Sequence, residues 1–144
     1  FGNPRRTPVG IDINRLFLIT AVITRRLGVR LSEQDVFVNV VGGLKISEPA
    51  ADLSIAAAIV SSVKNQPIRA DCVLIGEIGL SGEIRGVSKT SARLKEAAKL
   101  GFTTAVIPHA LRRNETFPSG MQVIEARSLR EAIQTVLLPP IKEE

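Results

Sequence analysis

The chain has 144 residues, 44% of them hydrophobic, with a net charge of +5 and a pI near 10.0. That length suits one domain with its own core, and no apolar run reaches the ~18 residues of a membrane-spanning helix. Five Phe without Trp or Tyr argue against aromatic stacking on single strands as the main binding mode, and one Cys with one His cannot by themselves build a zinc site.

The positive charge is uneven. Arg5, Arg6, Arg15, Arg25, Arg26 and Arg30 share the first 30 residues with a single acid, Asp12. A high pI reads either as solubility or as a surface for a polyanion. The lone Cys72 sits beside a buried-type strand and reads as an inert core thiol in a reducing compartment. The opening Phe1–Arg6 is no signal peptide and has no initiator Met, which fits a piece of a longer chain.

Residues 1–10, with Pro4, Pro8 and Gly10, read as extended or loop. Leu16, Ile19, Ile23 and Leu27 give helical spacing over Asn14–Leu27, and Gly28 is its stop. Val36–Val41 is a near-continuous apolar strand, expected to lie centrally in a sheet. Gly42 and Gly43 break it, and a helix follows to about Val63. Ser47 is its predicted N-cap, Pro49 suits its first turn, and Asp52 lies near the positive end of its dipole. Ala56, Ala57 and Ala58 carry no bulk, so this helix is expected to pack closely on the strand.

Val73–Ile75 is a short buried strand, and Gly76–Arg85 reads as strand, tight glycine turn and returning strand. Ser88 is the predicted cap of a helix to Leu100, with Leu94, Ala97, Ala98 and Leu100 facing inward and Gly101 as stop. Thr103–Ile107 is a strand ended by Pro108, and His109–Ser119 a polar connection with a helical turn at Ala110–Arg112. Met121–Ile124 is the last strand. Ser128 and Glu131 form a capping box for a final helix that stops before Pro139 and Pro140. Alternating strands and helices imply a layered α/β or α+β domain.

Two stretches carry a family signal. One is Asp35–Leu44 followed by Glu48-Pro49-Ala50-Ala51-Asp52-Leu53; the other is Ile75–Arg85 followed by Arg93–Ala97 and Gly101-Phe102. In this order and spacing they resemble the C-terminal Lon-protease-like domain of the bacterial RadA (Sms) DNA repair family, as does Asn3–Arg15. The resemblance covers nearly the whole chain. It implies an α+β two-layer domain over residues 14–138 with a mixed sheet packed by helices, an incoming segment at 1–13 from an absent ATPase core, and a frayed tail at 139–144.

The zinc finger, the ATPase core and the first strand of the Lon-like domain would then lie outside this chain. For the full-length protein the resemblance implies a cytoplasmic, DNA-dependent ATPase of helicase type, using ATP, magnesium and zinc, that branch-migrates joints in recombination. It implies a homohexameric ring, with sequence-independent DNA and the recombinase RecA as partners. For this fragment it implies no cofactor, no metal and no membrane.

The resemblance extends to Lon proteases, which use a Ser–Lys dyad. A lysine in apolar surroundings has a depressed pKa and can take the serine proton. Pro49 matches the proline before that serine, and Ala50 stands in the serine's place. Counting from Gly76 without a gap puts Ser91 at the lysine's place; Lys89 and Lys95 are neighbours, not matches. Ala50 has no proton to lose and no lone pair to attack with, so peptidase chemistry is expected to be absent. The alternative is an active Ser peptidase with a relocated dyad.

Ser54, Ser61, Ser62 and Ser88 read as capping or surface serines, His109 as a loop histidine and Glu77 as an ion-pair partner. Arg5, Arg6, Arg25, Arg26 and Arg30 are the candidates for phosphate contact, against subunit salt bridges or solvation. In a ring, the arginine-rich start and the acid-rich 31–60 stretch offer complementary surfaces.

Overall fold

The computed structural model describes residues 4–32, 34–39, 47–110 and 114–140, which form four α-helices and three small sheets. Of the two readings of the chain's start, residues 6–9 take the extended one. They form strand β1 (Arg6–Val9), parallel to β2 (Val36–Asn39), with Arg6 opposite Val36. Helix α1 (Ile13–Leu27) makes the crossover between them. Its N-cap is Asp12, whose carboxylate accepts from the Arg15 N–H at 3.1 Å, and Gly28 ends it at φ +67. Leu16, Ile19, Val22 and Ile23 bury its inner face.

β2 differs from the expected central strand. Among the described residues it pairs on one edge only, with β1. The side chains alternate: Val36 is buried, whereas Phe37 is 68% exposed. An unbroken apolar run does not distinguish a strand buried on both faces from one with an apolar outer face. Val40 to Gly43 lie outside the described residues. Between β2 and helix α2 (Asp52–Lys64) lies an open groove of about 540 Å³, lined in part by Val38, Ile55, Ile59 and Val63.

α2 packs instead on α1, on β3 (Cys72–Leu74) and on β4 (Glu77–Ile78). Ser47 is not its cap. A 3-10 turn, Pro49–Ala51, precedes the helix, and Glu48 at its N-cap makes no side-chain capping bond. Tertiary backbone bonds serve there instead: the Leu53 N–H donates to Gly76 O at 3.1 Å. Ala56 and Ala57 are fully buried and Ala58 is exposed. Ala57→Leu is therefore expected to overpack the helix contact and lower stability by about 1–3 kcal/mol, measured by chemical denaturation. An unchanged midpoint would contradict this packing.

A second, parallel sheet has the order β3–β6–β7, with β6 (Thr104–Pro108) in the middle and every one of its residues buried. Helix α3 (Thr90–Lys99) supplies Leu94 to a cluster with Ala105 and Ile107 on one face, while Val106 joins the main core on the other. Burial pushes the Cys72 thiol above its ordinary range, as suits an inert core cysteine. Ser88 does not cap α3. Lys89 precedes the helix in left-handed conformation at φ +60, and the Ser88 carbonyl accepts from Arg93 Nε at 3.0 Å. Leu100 is 71% exposed, because the helix ends at Lys99 and Gly101 (φ +97) turns the chain away.

Strand β7 (Gln122–Ala126) leads into helix α4 (Leu129–Val136). Its capping box is present in part. Ser128 Oγ accepts from the Glu131 N–H at 3.1 Å, and the Glu131 carboxylate accepts one residue upstream, from the Arg127 N–H at 3.3 Å. The layered α/β class read from the sequence is the one observed, with its strands divided among parallel and antiparallel pairs. No helix among the described residues is long and apolar enough to cross a membrane.

Candidate functional site

The strand–turn–helix junction is built by the close approach of Gly76. Its N–H donates to Ala50 O at 3.0 Å. A Cβ on Gly76 would meet Ile84 Cγ2 at 2.5 Å, so only glycine lets β3 run on this close to the hairpin formed by β4 and β5 (Ile84–Arg85). Ala50 is buried at the turn. Ser91, in the first turn of α3, donates its hydroxyl to Thr116 O at 2.7 Å. An ion pair at 2.7 Å joins Glu48, two residues before Ala50, to Arg93, two residues after Ser91. The fold thus links the segments carrying the two positions that the resemblance matches to a dyad. Neither position holds a nucleophile or base poised for the other, and Lys89 and Lys95 are exposed.

Beside the junction lies an ion pair that the sequence did not disclose. Asp52 is 1% exposed at its side chain. Arg15 Nε donates to Asp52 Oδ1 at 2.7 Å, a second guanidinium nitrogen donates to Oδ2, and the Ile78 N–H reaches Oδ2 at 3.0 Å. One carboxylate therefore ties α1, α2 and β4 together. Its hydrogen bond holds the Arg15 guanidinium above its ordinary range. In the sequence Arg15 counts only towards the basic start of the chain, and Asp52 reads as a helix-dipole residue. Their separation of 37 positions leaves no local pattern that would pair them.

The candidate arginines have different surroundings. The Arg6 guanidinium donates to the carbonyls of Arg5, Gln34 and Leu31, the last at 2.8 Å, so it clamps the turn before β2. Arg5 is exposed, and its backbone N–H donates to Asp35 at 2.7 Å. Arg25, Arg26 and Arg30 are exposed at and after the end of α1, where cations favour the helix dipole. Arg30 adjoins Leu31, so the Arg6 clamp connects the two groups. From α4, Arg130 donates to Arg26 O at 2.5 Å, and Arg127 precedes it by three residues; both are exposed. These two were missed. Arg130 lies 104 positions from Arg26, and only the tertiary fold brings them together.

The acids expected to face this basic surface across a ring are partly engaged within the chain. Asp52 is buried on Arg15 and Glu48 pairs with Arg93. Glu77 and Glu83 pair with Arg85, each at 3.7 Å. His109 Nδ1 lies 3.4 Å from Glu125, so this histidine serves the end of β6. Among the described residues no group of three or more His, Cys, Asp or Glu could hold a metal ion.

Comparison with known proteins places these features in a family. Residues 17–111 match the family model described as subunit ChlI of Mg-chelatase. The chain is 49% identical over 138 residues to DNA repair protein RadA of Bacillus subtilis, covering 95% of this chain and 30% of that protein. It is 47% identical over 137 residues to RadA of Halalkalibacterium halodurans, again 95% and 30%. With RadA of Escherichia coli it shares 46% over 131 residues, 91% of this chain and 28% of that protein. The chain thus spans under a third of the length of these relatives. It belongs to the ChlI-type domain family and is homologous to a segment of bacterial RadA DNA repair proteins, matching their C-terminal Lon-protease-like domain.

Proposed function

We propose that this chain is a non-catalytic Lon-like domain of a RadA-type DNA repair ATPase, acting as a ring element and as a sequence-independent contact to DNA phosphates. The observation that carries the first part is Ala50: the turn, its proline and the packing glycine Gly76 are all in place, and the nucleophile is not. A fold that keeps the junction without its chemistry is retained for shape. The relocated-dyad peptidase draws no support, since the Ser91 hydroxyl donates a hydrogen bond to a carbonyl and the nearby lysines are exposed.

Support for DNA contact is the exposed set Arg5, Arg25, Arg26, Arg30, Arg127 and Arg130. Arg6 drops to a structural role. Phosphate contact suits a chain without Trp or Tyr, and weak contacts repeated around a homohexamer add through multivalency. The motor function, ATP, magnesium and zinc, and a RecA-type partner belong to the remaining part of the full-length protein in this reading.

Two measurements test the assembly and the lost chemistry. Light scattering of the full-length protein with nucleotide and DNA is expected to give a hexamer mass; a persistent monomer would end the ring proposal. Ala50→Ser is expected to stay unlabelled by a serine-directed probe, because no lysine at position 91 activates it. Labelling of the unmodified chain at any serine would overturn the non-catalytic assignment.

A further inference from the structure

We infer that Leu80, at the tip of the β4–β5 hairpin, is an apolar wedge that enters the base stack where duplex opens into single strands, while the neighbouring arginines hold the phosphates. The inference rests on the DNA-contact reading above and deepens it.

The tip is unusual in what it displays and in how firmly it is held. The Gly82 N–H donates to Gly79 O and the Gly79 N–H to Glu83 O, both at 3.0 Å, so Leu80 and Ser81 are the two central residues of a closed turn. The Ser81 N–H is bonded by the Glu83 carboxylate at 3.2 Å. Turn centres ordinarily carry Gly, Pro, Asn, Asp or Ser. This one carries a leucine that is 70% exposed. A lone surface leucine means little by itself. Here the turn is fixed from behind: the Leu129 N–H donates to Gly82 O at 2.8 Å, and the Ile84 N–H to Arg127 O at 3.0 Å.

The same contacts bring Arg26 against the turn. Gly82, at φ +80, lies against the Arg26 stem, where an added Cβ would meet Arg26 Cγ at 3.0 Å. Arg130 is bonded to the Arg26 carbonyl, and Arg127 is held through its own carbonyl. Of the acids nearest the tip, Glu83 and Glu77 share the single Arg85, and Glu131 caps the Arg127 N–H. A rigid apolar tip with Arg26 against its turn, and Arg130 bonded to Arg26, matches the chemistry of a polyanion whose interior is apolar. Side chains such as leucine inserted between base steps unstack them while basic groups grip the backbone. An acidic protein surface would use the arginines but give the leucine no stack to enter.

The test uses the full-length protein and a forked DNA with 2-aminopurine at the duplex–single-strand step. Wild type is expected to raise the 2-aminopurine fluorescence on binding. Leu80→Ala is expected to reduce that rise several-fold, and Leu80→Phe to preserve it. Leu100→Ala, which alters an exposed leucine at the end of α3, is the control and is expected to match wild type. A full fluorescence rise with Leu80→Ala overturns the wedge. Loss of the ring in light scattering with Leu80→Ala also overturns it, by assigning Leu80 to a subunit contact. The underlying reading is separated by Arg25→Gln/Arg26→Gln. An unchanged salt slope in that variant brings down DNA contact and the wedge with it, whereas a lowered slope with a failed Leu80→Ala test removes the wedge alone.

Discussion

Arg15→Met is expected to lower the unfolding free energy by about 3–5 kcal/mol, because it leaves the Asp52 carboxylate buried with one backbone N–H as its remaining bond. Asp52→Leu is expected to cost less. Arg15 is about a third exposed and can turn its charge to water, although the Ile78 N–H then loses its acceptor. The double variant Arg15→Met/Asp52→Leu is expected to be more stable than Arg15→Met alone, since two apolar side chains of similar volume need no desolvation of charge. Denaturant unfolding of the three variants forms a cycle, and the coupling it returns is the check. Additive losses would mean that the pair is not the tie between α1, α2 and β4.

That pair also marks where sequence reading stops. Features with short-range causes were legible: Gly28 and Gly101 as stops, the Gly76–Arg85 hairpin, and the Ser128 cap. Each is fixed by residues a few positions apart. Ser47 and Ser88 failed as caps although their residue type was right. Tertiary bonds through Gly76 served one helix start, and a left-handed Lys89 displaced the other. The strand at Val36 was legible as a strand, but its place in the sheet was not, because alternation between a buried Val36 and an exposed Phe37 is hidden when both are apolar.

The candidate site divides the same way. Ala50 and Ser91 could be singled out because the resemblance matches a residue type to a position. The arginines were legible only as a list. Composition counts charge, but it cannot show that Arg6 is bound to three carbonyls or that Arg130 stands beside Arg26. The exposed arginines around Arg26 therefore come partly from the predicted set and partly from the opposite end of the chain.

The central claim is that this domain touches DNA phosphates as part of a ring. It is tested most directly by a salt titration of the full-length protein on duplex DNA, wild type against Arg25→Gln/Arg26→Gln, with the mass of both followed in the same buffers. The log of the binding constant falls with log salt by about 0.9 per phosphate neutralised on duplex DNA. If one subunit's two arginines are engaged, the variant's slope falls by about 1.8, and by more if several subunits grip the duplex together. The glutamines retain most of each side chain's stem, so the Gly82 contact and the hairpin are expected to survive. A smaller slope with the hexamer intact, and an equal loss on unrelated sequences, is the predicted result. An unchanged slope with an intact ring would contradict the claim.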